Sequence, residues 1–162
     1  MSMTRQGKDK ILFWLTCVLA VTVMVMIFCF SSQDAEHSGH TSNLIVDLLI
    51  RIIKPGFDAL EQSRQDVFRE RVSFFTRKAA HFTEFAFLGV ALLLHVLQWL
   101  KIRQIRFPAG LSFLIGVLYA CTDEIHQIFV PGRACSIRDI GIDSAGVLTG
   151  ILLLTLLRGR KQ

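Results

Sequence analysis

Ile11 to Phe30 runs for twenty residues without a charged side chain, enough for a helix to cross about 30 Å of hydrocarbon. In lipid every backbone amide must find its partner within the protein, so such a segment commits the chain to an α-helix. Arg5, Lys8 and Lys10 precede the run, as they would in a cleaved signal peptide. The apolar stretch is longer than the usual signal core of about 7–15 residues, and Phe28-Cys29-Phe30 is a poor cleavage site. It reads as a retained first span that starts in the cytoplasm.

Three more stretches have this character. Ala79 to Leu100 is a second span despite His81, Glu84 and His95. A third runs from Pro108, a residue suited to a helix start, to about Val130. Pro131-Gly132 ends it. Ser136-Ile-Arg-Asp139 resembles a capping box with Asp in place of Glu, and a fourth helix follows over about 140–157. With 52% hydrophobic residues and mean hydropathy +0.48, the whole of 1–162 is expected to form one membrane domain. The expected fold is all-α: a polytopic bundle with spans at about 11–30, 79–100, 108–130 and 140–157.

The segment between the first two spans differs. Asn43 to Ile53 is apolar but only eleven residues long, too short to span, and suits an interfacial helix. Pro55-Gly56 ends it. Beyond Phe57, the positions Leu60, Val67, Phe68, Val72 and Phe75 recur with a helical period. This second, amphipathic helix is expected to lie on the membrane surface before the chain enters the bilayer.

Charge sets the orientation. The net charge of +5 gathers at Arg5/Lys8/Lys10, Lys101/Arg103/Arg106 and Arg158/Arg160/Lys161, each beside an apolar run. That is the positive-inside pattern, not a nucleic-acid footprint, so no nucleic-acid partner is expected. The segment from residue 31 to 78 has seven basic and seven acidic residues and carries no such bias. A multi-pass protein of the inner membrane, with both termini cytoplasmic, satisfies all three clusters. Cys17, Cys29 and Cys121 sit in or beside apolar runs, where thiols act as packing groups, and Cys135 has no evident disulfide partner.

In this topology the polar residues converge on the outer face. Lys78, His81 and Glu84 follow at i, i+3 and i+6 along span two. On span three, Tyr119, Asp123, His126 and Gln127 share a face, with Glu124 turned about 100° away. Asp139 and Asp143 line span four with Gly146 and Gly150, which permit close helix approach. Charges in spans are costly, so such groups are functional candidates by default. The candidates for catalysis are Lys78, His81, Glu84, Asp123, Glu124, His126, Gln127, Asp139 and Asp143. Arg133 is placed to neutralise the acids or to bind a phosphate or carboxylate through its fork. His95, alone, is a packing residue.

Three chemistries suit this set. In acid–base hydrolysis or transfer, His126 or His81 is the base, a carboxylate orients it, and Lys78 or Arg133 clamps an anion. One-turn pairs such as His81/Glu84 and Asp123/His126 can chelate a metal, but the Glu-x-x-His repeats of carboxylate bundles are absent. No metal ligand is assigned, and no cofactor is identified. The third reading is a structural ion network. Walker loops, nucleophile elbows and zinc patterns are missing. Transport needs a polar path across the bilayer, which only His95 and Gln98 begin to offer.

The ordered set of motifs resembles the VanZ-like family of bacterial membrane proteins. It comprises Phe30-Ser31-Ser32-Gln33 with Ser38 and Ser42, then Arg77-Lys78-Ala-Ala-His81-Phe-Thr-Glu84-Phe. Thr122-Asp123-Glu124-Ile-His126-Gln127-Ile-Phe129-Val130-Pro131-Gly132-Arg133 follows, with Asp139, Asp143 and Gly146 after it. Phe85, where a tyrosine is common, departs from the pattern. The resemblance covers about residues 28–150 and implies a multi-span membrane protein. It brings Ser31 and Gln33 beside Arg133 as candidate substrate-binding residues. The family's namesake is linked to low-level teicoplanin resistance, which implies cell-envelope components, membrane lipids or lipid-linked cell-wall precursors as partners. Two readings stay open: an enzyme on a phosphate-containing or lipid-linked substrate, and a non-catalytic protein that binds or modulates the envelope.

Overall fold

A computed structural model describes residues 4–32, 38–100 and 106–160. Among them the chain is all helical: α1 (Arg5–Ser31), α2 (Ser38–Ile53), a single 3-10 turn (Phe57–Ala59), α3 (Gln62–Leu100), α4 (Pro108–Gln127) and α5 (Ile137–Gly159). Three of these, α1, α3 and α5, are long and apolar enough to cross a membrane. The shorter α4 carries Asp123 and Glu124 near its end and is not among the three.

Local chemistry explains most boundaries. Thr4 caps α1 by accepting from the Gly7 amide, and Pro108 occupies the first turn of α4, where a missing N–H costs nothing. Beyond α4, Val130 accepts from the Arg133 amide at 3.1 Å, closing a turn over Pro131 and Gly132. Gly132 has φ 75°, the left-handed conformation that a type II turn requires after its proline. That turn brings Arg133 back toward the bundle.

The helix α3 differs from expectation. The amphipathic stretch and the second span form one helix of 39 residues, about 58 Å long at 1.5 Å per residue. No Gly or Pro lies between Gln62 and Ala79 to break it. The first part of α3 is therefore not a separate surface helix. α2 packs beside it: Val46, Ile50 and Phe57 are buried against Leu60, Phe68 and Val72, and Arg69 pairs with Asp47.

α3 is the hub of the bundle. Phe85, Leu88, Ala91, Leu92 and Leu93 form the main core with Ala20 and Ile27 of α1, Ala120 of α4, and Val147 and Ile151 of α5. α3 and α5 touch backbone to backbone. A Cβ on Gly146 or Gly150 would collide with the carbonyl oxygen of Phe82 or Ala86, and one on Gly89 with that of Val147. The small residues expected on α5 do admit close approach, and Gly89 on α3 does the same from the other side. At the far end, His95 packs against Phe13 and Trp99 and lies 3.2 Å from the Thr16 hydroxyl. It is a packing residue, as expected.

Candidate functional site

Four helices bring polar groups to one end of the bundle. α1 ends there with Ser31, α4 ends there with Asp123, Glu124 and Gln127, α5 begins there with Asp139 and Asp143, and α3 passes through with Arg77, Lys78, His81 and Glu84. A cavity of ≈170 Å³ opens between them, lined by Arg77, Lys78, His81, Glu124, Gln127, Arg133, Asp139 and Asp143 among others. Its walls lie on α3, α4, α5 and the Pro131-Gly132 turn.

The carboxylates are held in different ways. Asp123 is 2% exposed; its Oδ2 accepts from the Ser31 hydroxyl at 2.8 Å and from Gln127 Nε2 at 3.0 Å. Glu124, 1% exposed, accepts from the Ser136 backbone N–H at 2.8 Å. It thus meets the positive end of α5 from outside that helix. Asp139 pairs with Lys78. The capping box expected at Ser136–Asp139 is therefore replaced. Ser136 is the N-cap residue, but its side chain makes no capping bond, and Asp139 turns to the lysine instead.

Asp143 is the exception. It is 1% exposed, and neither side-chain oxygen has a hydrogen-bond partner. His81 Nδ1 stands 3.8 Å from its Oδ1, too far for a hydrogen bond. The second oxygen of Asp123 and one of Glu84 are also buried without a partner. Buried polar atoms of this kind are scarce in folded proteins, and each calls for an explanation.

Glu124, turned about 100° from Asp123 on α4, is buried and lines the cavity. His126 faces α1 as Asp123 does, stacking on Phe28 with ring centroids 4.3 Å apart and lying 3.0 Å from the Ser32 hydroxyl, but it does not line the cavity. Ser32 was not among the candidates. Tyr119 likewise turns to α1, its hydroxyl donating to the Met24 carbonyl. The residues whose donor atoms cluster are His81, Asp123 and Asp143, within 4.8 Å of one another. Ser31 joins the site through Asp123, and Gln33 lies outside the described residues.

Arg133 sits over this acidic floor. Burial, and after it the neighbouring Arg77 cation, push its guanidinium below the ordinary value, while Asp123, Glu124 and Glu84 act in the opposite sense. Two guanidiniums beside one cavity repel each other. An anion between them removes that cost.

On the other side of Glu84 the surface is wholly different. A groove of ≈280 Å³ runs between α1 and α3, lined by Leu19, Val23, Met26, Ile27, Phe30, Phe87, Val90 and Ala91, with Glu84 as its one ionisable member. Glu84 thus stands between an apolar groove and the acidic cluster.

A family model described as VanZ/LLP1 matches residues 15–158. No curated protein matches the chain, and no solved structure does.

Proposed function

This chain belongs to the VanZ/LLP1 family, and we propose that it is a four-span protein of the bacterial inner membrane that binds and acts on an anionic, lipid-linked component of the cell envelope. In this reading α4 is the fourth crossing, both termini are cytoplasmic, and the cavity faces outward. The basic clusters Arg5/Lys8/Lys10 and Arg158/Arg160 at the opposite end from the cavity support that orientation.

The observation that carries the reading is the gathering of Arg77, Lys78 and Arg133 on one polar cavity at the end of membrane-length helices. Lys78 is paired with Asp139, which leaves Arg77 and Arg133 to meet a phosphate or carboxylate headgroup across from Glu124 and Asp143, with Arg133 able to present a fork. The apolar groove leading to Glu84 suits the hydrocarbon chain of the same ligand. Its walls can hold methylenes without taking them out of lipid.

Hydrolysis or transfer of a phosphate-containing group is the reaction class the surroundings serve best. His81 and the unpartnered carboxylates offer proton acceptors, and the cations stabilise charge that develops on oxygen. A ligand of this class lies where cell-wall precursors meet a glycopeptide, which links the reading to teicoplanin susceptibility. A protein that holds such a lipid without turning it over uses the same cavity.

Envelope-lipid profiles of cells lacking the protein, carrying it, and carrying Arg133→Ala test the proposal. A phosphate-containing lipid should change with the wild type alone. Identical profiles in all three eliminate turnover, and loss of co-purifying lipid from Arg133→Ala then separates a binder from a protein without this ligand. Labelling of Arg133→Cys only from the cytoplasm overturns the orientation.

A further inference from the structure

We propose that His81, Asp123 and Asp143 form a binding site for one divalent cation with a taste for mixed nitrogen and oxygen donors, Zn²⁺ or Mn²⁺. One donor atom from each lies within 4.8 Å of the others. Around a metal with bonds of about 2.0–2.2 Å, tetrahedral donors stand roughly 3.3–3.6 Å apart. The 3.8 Å between His81 Nδ1 and Asp143 Oδ1 is already close to that spacing, and small rotamer changes complete it.

The independent observation is Asp143. A carboxylate 1% exposed with two unpartnered oxygens is one of the costliest arrangements a protein can bury, unless a cation or a proton joins it. Glu124 has the Ser136 amide and Asp139 has Lys78, while Glu84 keeps one buried oxygen without a partner. Asp123 has donors on Oδ2 from Ser31 and Gln127, while its Oδ1 has none. Ser31 and Gln127 therefore fix the carboxylate and leave one oxygen free, as outer-shell residues do around a metal ligand.

Charge points the same way. The neighbourhood holds the carboxylates of Glu84, Asp123, Glu124, Asp139 and Asp143 against the cations Arg77, Lys78 and Arg133. Fully ionised, it carries two uncompensated negative charges, which one divalent ion cancels. Imidazole with two carboxylates favours Zn²⁺ or Mn²⁺ over Mg²⁺ or Ca²⁺, which take oxygen donors. Three protein ligands leave a coordination position open, as in catalytic rather than structural sites. His81 and Asp143 also line the cavity, so that position faces its contents.

The site stands independently of the lipid reading, and its test uses no lipid. Full-length protein in detergent, stripped with chelator, is titrated with Zn²⁺ and with Mn²⁺ by calorimetry, and melted with and without each ion. The wild type should bind one ion at this site and melt several degrees higher with it; Mg²⁺ should do neither at the same concentration. Asp143→Asn and His81→Ala should lose that binding event. Ser31→Ala should weaken it about tenfold, and His95→Ala should keep it. Chelated Asp143→Asn should melt no lower than chelated wild type, because the unpaired charge is gone, and this shows the variant to be folded. No binding by the wild type overturns the proposal. Equal binding by wild type, Asp143→Asn and His81→Ala overturns it as well.

Discussion

The Ser31 hydroxyl donates to Asp123 Oδ2 at 2.8 Å across 92 positions of sequence, tying the last residue of α1 to the buried carboxylate of α4. Both residues are buried, at 0% and 2% exposure. Ser31→Ala leaves the carboxylate with Gln127 alone on that oxygen and should cost about 1–3 kcal/mol, as hydrogen bonds to charged groups do. Thermal melting of the purified protein measures it. Ser32→Ala, whose hydroxyl is exposed, should change the melt by less than about 0.5 kcal/mol. Equal losses for both would mean that the Ser31–Asp123 bond contributes little.

The sequence exposes this site unevenly, for reasons that lie in the packing. Asp123, Asp143, His81 and Glu84 stand out because charges in apolar runs are expensive, and the structure brings them to one end of the bundle. Helical spacing also relates Asp123 to its neighbours along α4, but it cannot say which partner helix covers which side. α5 takes the Glu124 side and α1 takes the side of Asp123 and His126, so Glu124 lines the cavity while His126 stays against α1. Ser136 and Asp139 have the spacing of a capping box, yet the nearby Lys78 offers Asp139 a full charge, a stronger partner than a backbone amide. The continuity of α3 was legible as the lack of any breaker between Gln62 and Ala79; charge density alone suggested a surface helix there.

Helix approach gives a second prediction. Gly150 of α5 faces the Ala86 carbonyl so closely that a Cβ has no room, and the atom in the way is backbone. Gly150→Ala should therefore destabilise the fold by about 1–3 kcal/mol, as overpacking does. Gly141 on the same helix has nothing within 4 Å of where a Cβ would stand. Gly141→Ala should be neutral or stabilising by up to about 1 kcal/mol through helix propensity. Detergent melts of the two variants side by side check the contrast; matched losses would show that α3 and α5 separate more readily than this packing implies.

Lys78 and Asp139 form a half-buried pair, with side chains 24% and 16% exposed. Lys78→Ala leaves a carboxylate without its cation, and Asp139→Ala the reverse. Each should lower the melting temperature by several degrees, through a loss of about 1–3 kcal/mol. The swap Lys78→Asp with Asp139→Lys should recover part of that stability, since the pair still joins α3 to α5. It should not recover retention of co-purifying anionic lipid, because the cation has moved to another wall of the cavity. Recovery of both would make the pair purely structural.

α2 presents two apolar faces. Val46 and Ile50 are buried against α3, while Leu44, Ile45, Leu48, Ile52 and Ile53 are each more than half exposed, from 51% to 76%. That second face has no counterpart within the described fold, and water is a poor solvent for five aliphatic side chains on one short helix. Lipid is the better one, so α2 should rest in the interface with this face some 5–10 Å into the headgroup and acyl boundary. Spin labels in reconstituted bilayers measure the depth. A label at Leu48 should collide with oxygen more than with a water-soluble nickel complex, and one at Glu70, on the polar side of α3, should do the opposite. If both labels favour nickel, the α2–α3 hairpin stands clear of the membrane, and the apolar face must meet a protein instead.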